Sequence, residues 1–337
     1  MSVRKKIKLN YAGFWQDFDP LDNYFYNRLK LYYDVEIADD PDYVFCSVFS
    51  DTEHFKYTHC VKIFYTGENI IPDFNLYDYA FGFHYIDFED RYMRLPHYAL
   101  YDREKEIEPA LKKHTFSDEY YLSKKKFCNR VVSNPFAMGE RDIIYLKLSE
   151  YKKVDSGGKY RNNVGGPVKD KIAFEKDYRF TLAFENSAMS GYTTEKILQA
   201  FAGDTIPIYM GSERIAEEFN PESFINGNLF KDAESLIEEI KRIDNDEEAF
   251  LKMIKAPAVL EGSQADIALR EDYIDDFLKN IFDQDKEKAK RRSMVYLGMD
   301  YQKKLKDAMK VKKALDVVKR PIHLYHGLKW QLTTRDR

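Results

Sequence analysis

The sequence predicts an α/β protein made of two consecutive α/β domains and a helical C-terminal segment. Strand-like and helical segments alternate in two series along the chain, which is typical of parallel sheets covered by helices. A charged, irregular stretch separates the two series, and the segments after the second series have helical periodicity alone. We therefore expect an N-terminal domain over residues 1–120, a second domain over 121–275 and a basic helical tail over 276–337.

The first series begins with a strand and a helix and continues with further strands. Strands are predicted where β-branched and aromatic residues cluster, at IKLNYAGF, VEIA, DYVFCSVF, VKIFYTGE and DYAFGFHY. The segment DPLDNYFYNRLKLYY has apolar residues at helical spacing and is predicted to form a helix after the first strand. The stretch DREKEIEPALKKHTFSDEYYLSKKK interrupts the alternation, and we place the domain boundary there.

The second series starts at CNRVVSN and has further predicted strands at FTLAFEN, TIPIYMG and SFIN. Between them, helices are predicted at AMGERDIIYLKLSEY, TTEKILQAFAGD and SERIAEEF. After Asp232 the segments DAESLIEEIKRI, DEEAFLKMI and ADIALREDYIDDFLKNIF are all expected to be helical. In such a sheet, ligands bind beyond the carboxyl ends of the strands.

Composition excludes several classes of protein. Apolar residues make up 44% and charged residues 33% of the 337, as in a globular chain. No apolar run approaches the roughly 20 residues that cross a bilayer. The basic N-terminus lacks the apolar stretch of a signal peptide, so we expect a cytoplasmic protein. Three cysteines without CxxC spacing predict free thiols and no zinc site.

Charge is distributed unevenly along the chain. From Lys286 to the end there are 16 Lys and Arg against 5 Asp and Glu, a net charge of +11, so the total of −4 leaves −15 for the rest. The acidic body disfavours nucleic-acid binding. The basic tail predicts either contact with an anionic membrane or a helix packed on the body. Its apolar residues include Leu305, Met309, Ala314, Leu315, Val318 and Trp330.

The stretch from Phe180 to Ser212 reads as strand, polar loop, helix, turn and second strand. Thr193 is predicted to cap the helix, with Glu195 and Lys196 in its first turn. Its buried stripe is predicted to contain Ile197, Leu198 and Phe201. A helix N-terminus attracts an anion, and Lys196 adds a full charge. The alternative is that Glu195 and Lys196 are ordinary solvated residues, and the pattern does not separate the two.

Two more residues carry suitable chemistry near strand ends. Arg141 follows a strand, at the start of a helix, where a guanidinium can hold a phosphate with two hydrogen bonds. The alternative is a surface arginine paired with Glu140 or Asp142. Glu68 ends the segment VKIFYTGE, where a partly shielded carboxylate would act as a general base. Taken alone, such a residue is more often a loop carboxylate.

Other familiar signals are weak. DxD triplets, such as those at Asp17 and Asp244, lie in turn-like or helical contexts with nothing to complete a cation site, so we expect no metal. The histidines show no HxxxH or HExxH spacing, and His84 and His97 are expected to be packed or surface residues. Neither GxxxxGK[ST] nor GxGxxG is found, which disfavours P-loop and dinucleotide binding.

The segment FENSAMSGYTTEKILQAFAGDTIPIYMGS, continued by FNPESFIN, resembles the donor-binding motif of the alpha-1,3/1,4-fucosyltransferases, most closely the bacterial members. Similar blocks are FYTGENIIPDFNLYDYAFGF, DRYMRLPHY, VVSNPFAMGER and VKDKIAFEKDYRF, so the resemblance extends in order from Lys62 to Asn226. It implies the GT-B architecture, with two facing Rossmann-like domains. GDP-fucose would be bound mainly by the second domain and the acceptor by the first.

The resemblance also implies roles for single residues. Glu68 matches the general base, and Arg141 and Lys196 match the residues that contact the donor diphosphate. Glu195, as a second catalytic residue, is implied near the fucose and ribose. The remaining residues implied to bind substrate are Val168, Lys169, Asp170, Lys171, Asn186, Tyr192, Thr193 and Thr194. Thr193 and Met210 stand where close relatives often have Val and Trp, and the heptad repeats of some relatives are absent, which puts a repeat-mediated dimer in doubt.

The activity implied by the resemblance is an inverting transfer that needs no metal and no cofactor beyond its donor. L-fucose would pass from GDP-fucose to a hydroxyl of GlcNAc or Glc in N-acetyllactosamine- or lactose-type acceptors, giving alpha-1,3- or alpha-1,4-fucosylated Lewis-type glycans. Oligosaccharides or lipid-linked glycans such as lipopolysaccharide are the expected acceptors, with the tail at the cytoplasmic face of the inner membrane. The alternatives are an inverting GT-B transferase with another sugar nucleotide and an inactive glycan-binding protein.

Overall fold

The computed structural model describes residues 4–50, 52–112, 116–135 and 139–334, with only the backbone described from 317 to 334. The chain divides into two compact units. The first contains Met1–Thr66, Pro72–Phe81 and Leu278–Arg337, and the second contains Gly67–Ile71 and Gly82–Phe277. This division differs from the expected segments in three respects. The tail from Leu278 belongs to the first unit, and both Gly67–Ile71 and residues 82–120 belong to the second.

The first unit is built on parallel strands. They are β1 (Lys6–Ala12), β2 (Asp34–Ile37), β3 (Tyr43–Cys46), β4 (Val61–Phe64) and β5 (Tyr79–Gly82), which pair in the order β2-β1-β3-β4-β5. Helix α1 (Tyr24–Tyr32) follows β1 and is capped by the side chain of Asn23, which accepts the N–H of Tyr26. Strands β3 and β4 are buried along their whole length, as central parallel strands are. The strands and the helix expected in the first series are confirmed.

The second unit contains β6 (Tyr92–Arg94), β7 (Lys126–Arg130), β8 (Val154–Ser156), β9 (Tyr178–Phe184), β10 (Ile206–Met210) and β11 (Ile225–Asn226). The last five of these form a parallel sheet in the order β11-β10-β9-β7-β8. Its helices are α2 (Glu108–Leu111), α3 (Asp118–Leu122), α4 (Glu140–Tyr151), α5 (Lys171–Glu175), α6 (Glu195–Ala202), α7 (Ile215–Glu218), α8 (Ala233–Asn245), α9 (Glu247–Lys255) and α10 (Gln264–Ala268). Side chains of the sheet pack with those of α4, α8 and α9 into one apolar core.

One predicted helix is interrupted. The segment ADIALREDYIDDFLKNIF forms α10 and then α11 (Asp275–Asp283), with a turn between them. Leu269 and Ile274 are both buried in this turn region. On a continuous helix, residues five positions apart would point about 140° away from each other. The turn therefore lets both apolar side chains leave the solvent, which a single straight helix would not.

The chain ends with α12 (Lys286–Ala289) and the long helix α13 (Tyr296–Thr334). Before α13, the buried guanidinium of Arg292 is paired with the buried carboxylate of Asp78. Asp78 also accepts the backbone N–H groups of Lys62, Arg291 and Arg292. This network attaches the C-terminal segment to the sheet of the first unit.

The basic tail is helical, as expected. Its first part is packed, with Leu278, Ile281 and Phe282 fully buried, whereas the described side chains of α13 are largely exposed as far as residue 316. Val318 and Trp330, which contributed to the membrane expectation, have side chains outside the described part of the chain. No helix among the described residues is long and apolar enough to cross a membrane. Cys46, Cys60 and Cys128 are free and buried.

Candidate functional site

The loop between β9 and α6 is organised by a buried carboxylate that directly follows the strand. Glu185 is fully buried, and its oxygens accept the backbone N–H of Thr194 at 2.7 Å and the hydroxyl of Thr194 at 2.7 Å. The ammonium of Lys196 donates to the same carboxylate at 2.9 Å. Glu185 thus fixes both the start of α6 and the cation in its first turn.

The predicted N-cap of α6 was wrong by one residue. The helix is capped at Thr194, not Thr193, and the Thr194 hydroxyl is engaged by Glu185 rather than by a helix N–H. The hydroxyl of Thr193 instead donates to Oε1 of the buried Glu218 at 2.8 Å. Two buried carboxylates therefore hold the two threonines in different directions. Either residue fits the cap pattern, and only these partners distinguish them.

Glu218 also binds two side chains from an earlier segment of the second unit, those of Tyr98 and Arg94. The hydroxyl of Tyr98 donates to its Oε2 at 2.8 Å, and Arg94 lies 2.9 Å from its Oε1. The Arg94 guanidinium donates to the carbonyl of Gly191 at 3.0 Å. Although burial opposes its charge, Glu218 raises the pKa of Arg94. Arg94 and Glu218 together hold the loop before α6, through the carbonyl of Gly191 and the hydroxyl of Thr193.

Helix α6 presents its apolar stripe to the core as predicted. Ile197, Leu198 and Phe201 are fully buried, which confirms the expected amphipathic pattern. The chain then turns at Gly203 and Asp204, where Asp204 has a positive φ of 52°. The polar first turn is consequently left at the carboxyl edge of the sheet, where β9 and β10 end.

Lys196 and Arg141 are the cations at this edge. Burial disfavours the charge of Lys196, but the carboxylates of Glu185 and Glu195 outweigh it and raise its pKa. Arg141 is buried in the first turn of α4, where it donates to Oδ1 of Asn186 at 3.2 Å and to the carbonyl of Asn134 at 2.6 Å. Burial lowers the pKa of Arg141. Arg141 contacts Asn186 and Lys196 contacts Glu185, which are adjacent residues, so the two cations lie at one loop.

Arg141 is therefore buried and, within the part of the chain that the structure describes, is not in the surface ion pair that was the alternative from the sequence. Its neighbour Asp142 is instead paired with Arg130 at 2.9 Å and accepts the hydroxyl of Tyr160 at 2.6 Å. Because Arg130 occupies Asp142, the guanidinium of Arg141 turns toward Asn186, in the loop that follows Glu185.

Glu195, the first residue of α6, is paired with a histidine that the sequence did not single out. Its Oε2 lies 3.2 Å from Nδ1 of His97. Burial would raise the pKa of Glu195, but the hydrogen bond from His97 and the charges of Lys196 and Lys171 hold it well below its ordinary value. Glu195 is therefore a carboxylate at neutral pH. His97, expected to be an ordinary packed or surface residue, is part of the site.

Glu68 lies on a short segment that belongs to the second unit. Its neighbour Asn69 donates to the hydroxyl of Ser187 at 2.7 Å, and Oδ1 of Asn69 lies 3.1 Å from Nε2 of His84. The Glu68 side chain is exposed. Burial, followed by the charges of Glu185, Glu68 and Glu195, raises the pKa of the Tyr192 hydroxyl. Glu68 is thus held at the same loop as the two cations.

The segment 168–171 contributes to the site through one residue. The ammonium of Lys171 donates to Oε1 of Gln199, on α6, at 2.8 Å, and lies 3.8 Å from Glu175. Asp170 caps α5 by accepting the N–H of Ala173, and Lys169 is exposed. Val168 is held by its N–H, which donates to the carbonyl of Gly157 at 2.8 Å.

Glu175 is a third carboxyl group that sequence reasoning missed, after Glu185 and Glu218. It is fully buried, and burial raises its pKa to about 7, while the charge of Lys171 opposes the shift. Glu185, Glu218 and Glu175 could not be selected from the sequence because a buried glutamate and an exposed one look the same in a pattern of apolar residues. Only the position of Glu185, directly after an apolar strand, was a usable signal.

The arrangement can bind an anion and accept a proton. Arg141 and Lys196, both largely buried, and the N-terminus of α6 present positive charge where little water screens it, so that charge is worth several kcal/mol more than in water. Glu68 and Glu195 supply carboxylates at the same place. Within the described residues, no group of three His, Cys, Asp or Glu is placed to hold a metal ion.

Comparison with known proteins gives consistent matches. The family model "Alpha-(1,3)-fucosyltransferase FucT N-terminal domain" matches residues 9–101, and "Glycosyltransferase family 10 (fucosyltransferase) C-term" matches residues 121–258. The chain is 35% identical over 284 residues to Alpha-(1,3)-fucosyltransferase FucT of Helicobacter pylori, which covers 74% of this chain and 59% of that relative. The chain thus spans less than two thirds of the relative's length.

Solved structures agree with these matches. A crystal structure of alpha1,3-fucosyltransferase has a TM-score of 0.72 at 31% identity, covering 84% of this chain and 91% of that chain. A crystal structure of alpha1,3-fucosyltransferase with GDP-fucose has a TM-score of 0.70 at 31% identity, covering 85% and 93%. These matches and the two parallel sheets confirm the α/β fold of the GT-B type.

Proposed function

Because the chain belongs to the glycosyltransferase family 10 fucosyltransferases, we propose that it transfers L-fucose from GDP-fucose to a glycan hydroxyl with inversion at the anomeric carbon. The acceptor hydroxyl is on GlcNAc or Glc of an N-acetyllactosamine- or lactose-type glycan, and the product is an alpha-1,3- or alpha-1,4-fucosylated Lewis-type glycan. The observation that carries the proposal is the convergence of Arg141, Lys196 and Asn69, the residue next to Glu68, on the loop after β9.

The two cations would hold the diphosphate of the donor. When GDP leaves, negative charge grows on the diphosphate and positive charge on the sugar. Within the described part of the chain, Lys196 donates to Glu185 and Thr194, which leaves a third ammonium hydrogen for a phosphate oxygen. Arg141 uses two of its groups on Asn186 and Asn134 and has further N–H donors for the same diphosphate. A good leaving group of this kind needs charge neutralisation more than a proton.

The carboxylates would act on the sugar and the acceptor. Glu195 is kept ionised and would stabilise the positive charge that develops on fucose. Glu68 is exposed on a loop held by Asn69, so an acceptor hydroxyl can reach it. As the hydroxyl oxygen attacks the face opposite the diphosphate, Glu68 takes its proton. A single base is enough for one displacement with inversion.

Transfer is proposed to need no metal ion, because Arg141 and Lys196 occupy the role that a divalent cation would have beside a diphosphate. Activity that is unchanged by prior dialysis against EDTA would support this. Activity that falls and returns with Mg²⁺ or Mn²⁺ would contradict it.

We also propose that the enzyme acts in the cytoplasm, with its basic tail on the anionic cytoplasmic face of the inner membrane and near lipid-linked acceptors. The tail's net charge of +11 and the exposed Val311 and Leu315 on α13 support this. The measurement is flotation with vesicles of anionic lipid, comparing the full chain with one ending at Lys310. Equal flotation of both chains would contradict the proposal.

The central experiment is to incubate the chain with GDP-fucose and a panel of oligosaccharides that contain galactose and GlcNAc or Glc. Product linkage is then determined by NMR. GDP-mannose and other nucleotide sugars in the same assay test the alternative donor, and the absence of both transfer and GDP release would favour the inactive glycan-binding protein.

Glu68→Gln tests the assignment of the base. The variant should lose transfer by at least about 100-fold while GDP-fucose binds normally, since general bases contribute roughly that much. Glu213→Gln, an exposed glutamate of the same unit, is the matched control. Near-normal transfer by Glu68→Gln would remove Glu68 from this role.

A further inference from the structure

We infer that His97 is a positioning residue that orients the carboxylate of Glu195 and seats the loop that carries Glu68. The inference rests on the proposed function, because it concerns how the carboxylates of that site are held. His97 itself is placed in contact with these two elements and not with the reacting atoms.

Two hydrogen bonds connect His97 to the start of α6. Its Nδ1 lies 3.2 Å from Oε2 of Glu195, and its backbone N–H donates to the carbonyl of Thr193 at 3.3 Å. Side chain and backbone of one residue thus hold two points of the loop, two residues apart. The carboxylate of Glu195 cannot rotate freely about its side-chain bonds while this contact persists.

The opposite side of the imidazole faces the loop of Glu68. A Cβ added to Gly67 would lie 3.3 Å from Nε2 of His97, closer than most such contacts. Glycine at position 67 therefore allows the backbone beside Glu68 to approach the ring. Glu195 thus lies beside Nδ1 of His97, and the backbone at Gly67, next to Glu68, passes close to the Nε2 side of the ring.

The ring has little freedom to turn. Tyr101 packs edge-on against it with ring centroids 5.1 Å apart, and Phe83 lies at 6.4 Å in a similar geometry. His97 also begins a short helical turn that ends at Leu100. A ring held by Glu195 on one side and packed beside Gly67 on the other couples the position of the Glu195 carboxylate to that of the loop that carries Glu68.

The consequence should appear in the chemical step. Glu195 interacts with charge that develops in the transition state, so a misplaced carboxylate lowers kcat more than it weakens donor binding. Loss of one hydrogen bond to a charged group predicts that His97→Ala lowers kcat by about 10- to 100-fold. The KM for GDP-fucose should change by less than about twofold.

A conservative variant separates positioning from bulk packing. In His97→Asn the amide nitrogen lies near the place of Nδ1 and can donate to Glu195, so kcat should recover to within about fivefold of the original. His59→Ala, an exposed histidine of the first unit, is the control and should leave both constants unchanged. Equal losses in His97→Ala and His97→Asn, or a change in KM alone, would overturn the inference.

The contact between His97 and the loop that carries Glu68 is tested by a double-mutant cycle. Gly67→Ala should lower kcat several-fold in the original chain, because the new methyl group displaces the ring or the loop. In the His97→Ala background the same substitution should have no further effect. Fully additive effects would show that His97 does not seat this loop.

Different experimental results would contradict the proposed function and the positioning role of His97. A purified chain that transfers no fucose to any acceptor overturns the proposed function. An active chain whose His97→Ala variant matches it in kcat overturns only the inference. Thermal unfolding of each variant identifies losses that come from misfolding.

Discussion

Substitution of Glu185 is predicted to destabilise the protein and weaken donor binding, because its carboxylate accepts three hydrogen bonds at once. It accepts the N–H and the hydroxyl of Thr194 and the ammonium of Lys196, at 2.7, 2.7 and 2.9 Å. In Glu185→Gln, one oxygen is replaced by an NH₂ group that can only donate. If the remaining oxygen serves the Thr194 N–H, the new NH₂ faces the ammonium of Lys196.

The magnitude follows from the burial of the pair. Breaking a buried ion pair by removing one partner costs about 3–5 kcal/mol. The Lys196 side chain is 19% exposed, so water compensates part of its loss, whereas Glu185 is 0% exposed. We therefore expect the free energy of unfolding to fall by about 3 kcal/mol, or a decrease in Tm of about 6–12 °C.

The assay combines thermal unfolding with titration of GDP-fucose. Donor affinity should fall by at least about tenfold, since the same substitution displaces Lys196 and the start of α6. In Lys196→Met, Glu185→Gln should cost at least about 1 kcal/mol less than in the original chain, because the two residues are coupled.

Glu213→Gln, an exposed glutamate of the same unit, is the control and should stay within about 0.5 kcal/mol of the original. If Glu185→Gln were no more destabilising than this control, the view of Glu185 as the organising carboxylate would be refuted.

Three further predictions concern the buried carboxyl group of Glu175, the ion pair of Asp78 with Arg292 in the first unit, and the proposed contact of Arg141 with the donor diphosphate. Glu175 keeps its proton to about pH 7 when folded but releases it near 4.5 when unfolded, so stability falls as pH rises through this window. Measured by urea unfolding, the free energy of unfolding of Glu175→Gln should therefore be about 3 kcal/mol higher than that of the original chain at pH 8 and equal to it at pH 4. An equal pH dependence of stability in both chains would contradict this. Asp78→Asn should lower the free energy of unfolding by about 3–5 kcal/mol, because Arg292 loses its buried partner, whereas the exposed Asp17→Asn should not. Arg141→Ala should weaken GDP binding by about 10- to 100-fold in calorimetry and leave guanosine binding unchanged; equal effects on both ligands would remove it from the diphosphate.

Several parts of the site could be predicted from the sequence because they depend on neighbours in the chain. The apolar stripe of α6 follows from helical spacing, and Ile197, Leu198 and Phe201 are buried as expected. Arg141 and Lys196 begin helices that follow strands, so topology alone places them at the carboxyl edge of a parallel sheet. Glu68 was found in the same way, because it ends the segment VKIFYTGE, four residues after β4.

Other parts depend on partners that are distant in sequence. His97 and Glu195 are 98 residues apart, and Thr193 and Glu218 are 25 apart. No periodicity connects such residues, so His97 was expected to be ordinary and the N-cap was assigned to Thr193. The sequence also offered no sign that the segment of Glu68 belongs with the second unit.

The sequence by itself determined the α/β class, the order of strands and helices, and the family, because these are written in local periodicity and in contiguous motifs. The tertiary structure alone decided which charges are compensated: Glu185 holds Lys196, Glu218 holds Thr193 and Arg94, and His97 holds Glu195. The physical reason is that the energy of a charge depends on its burial and on its nearest partner in space. Folding fixes both quantities, and for residues far apart in the chain the sequence specifies neither.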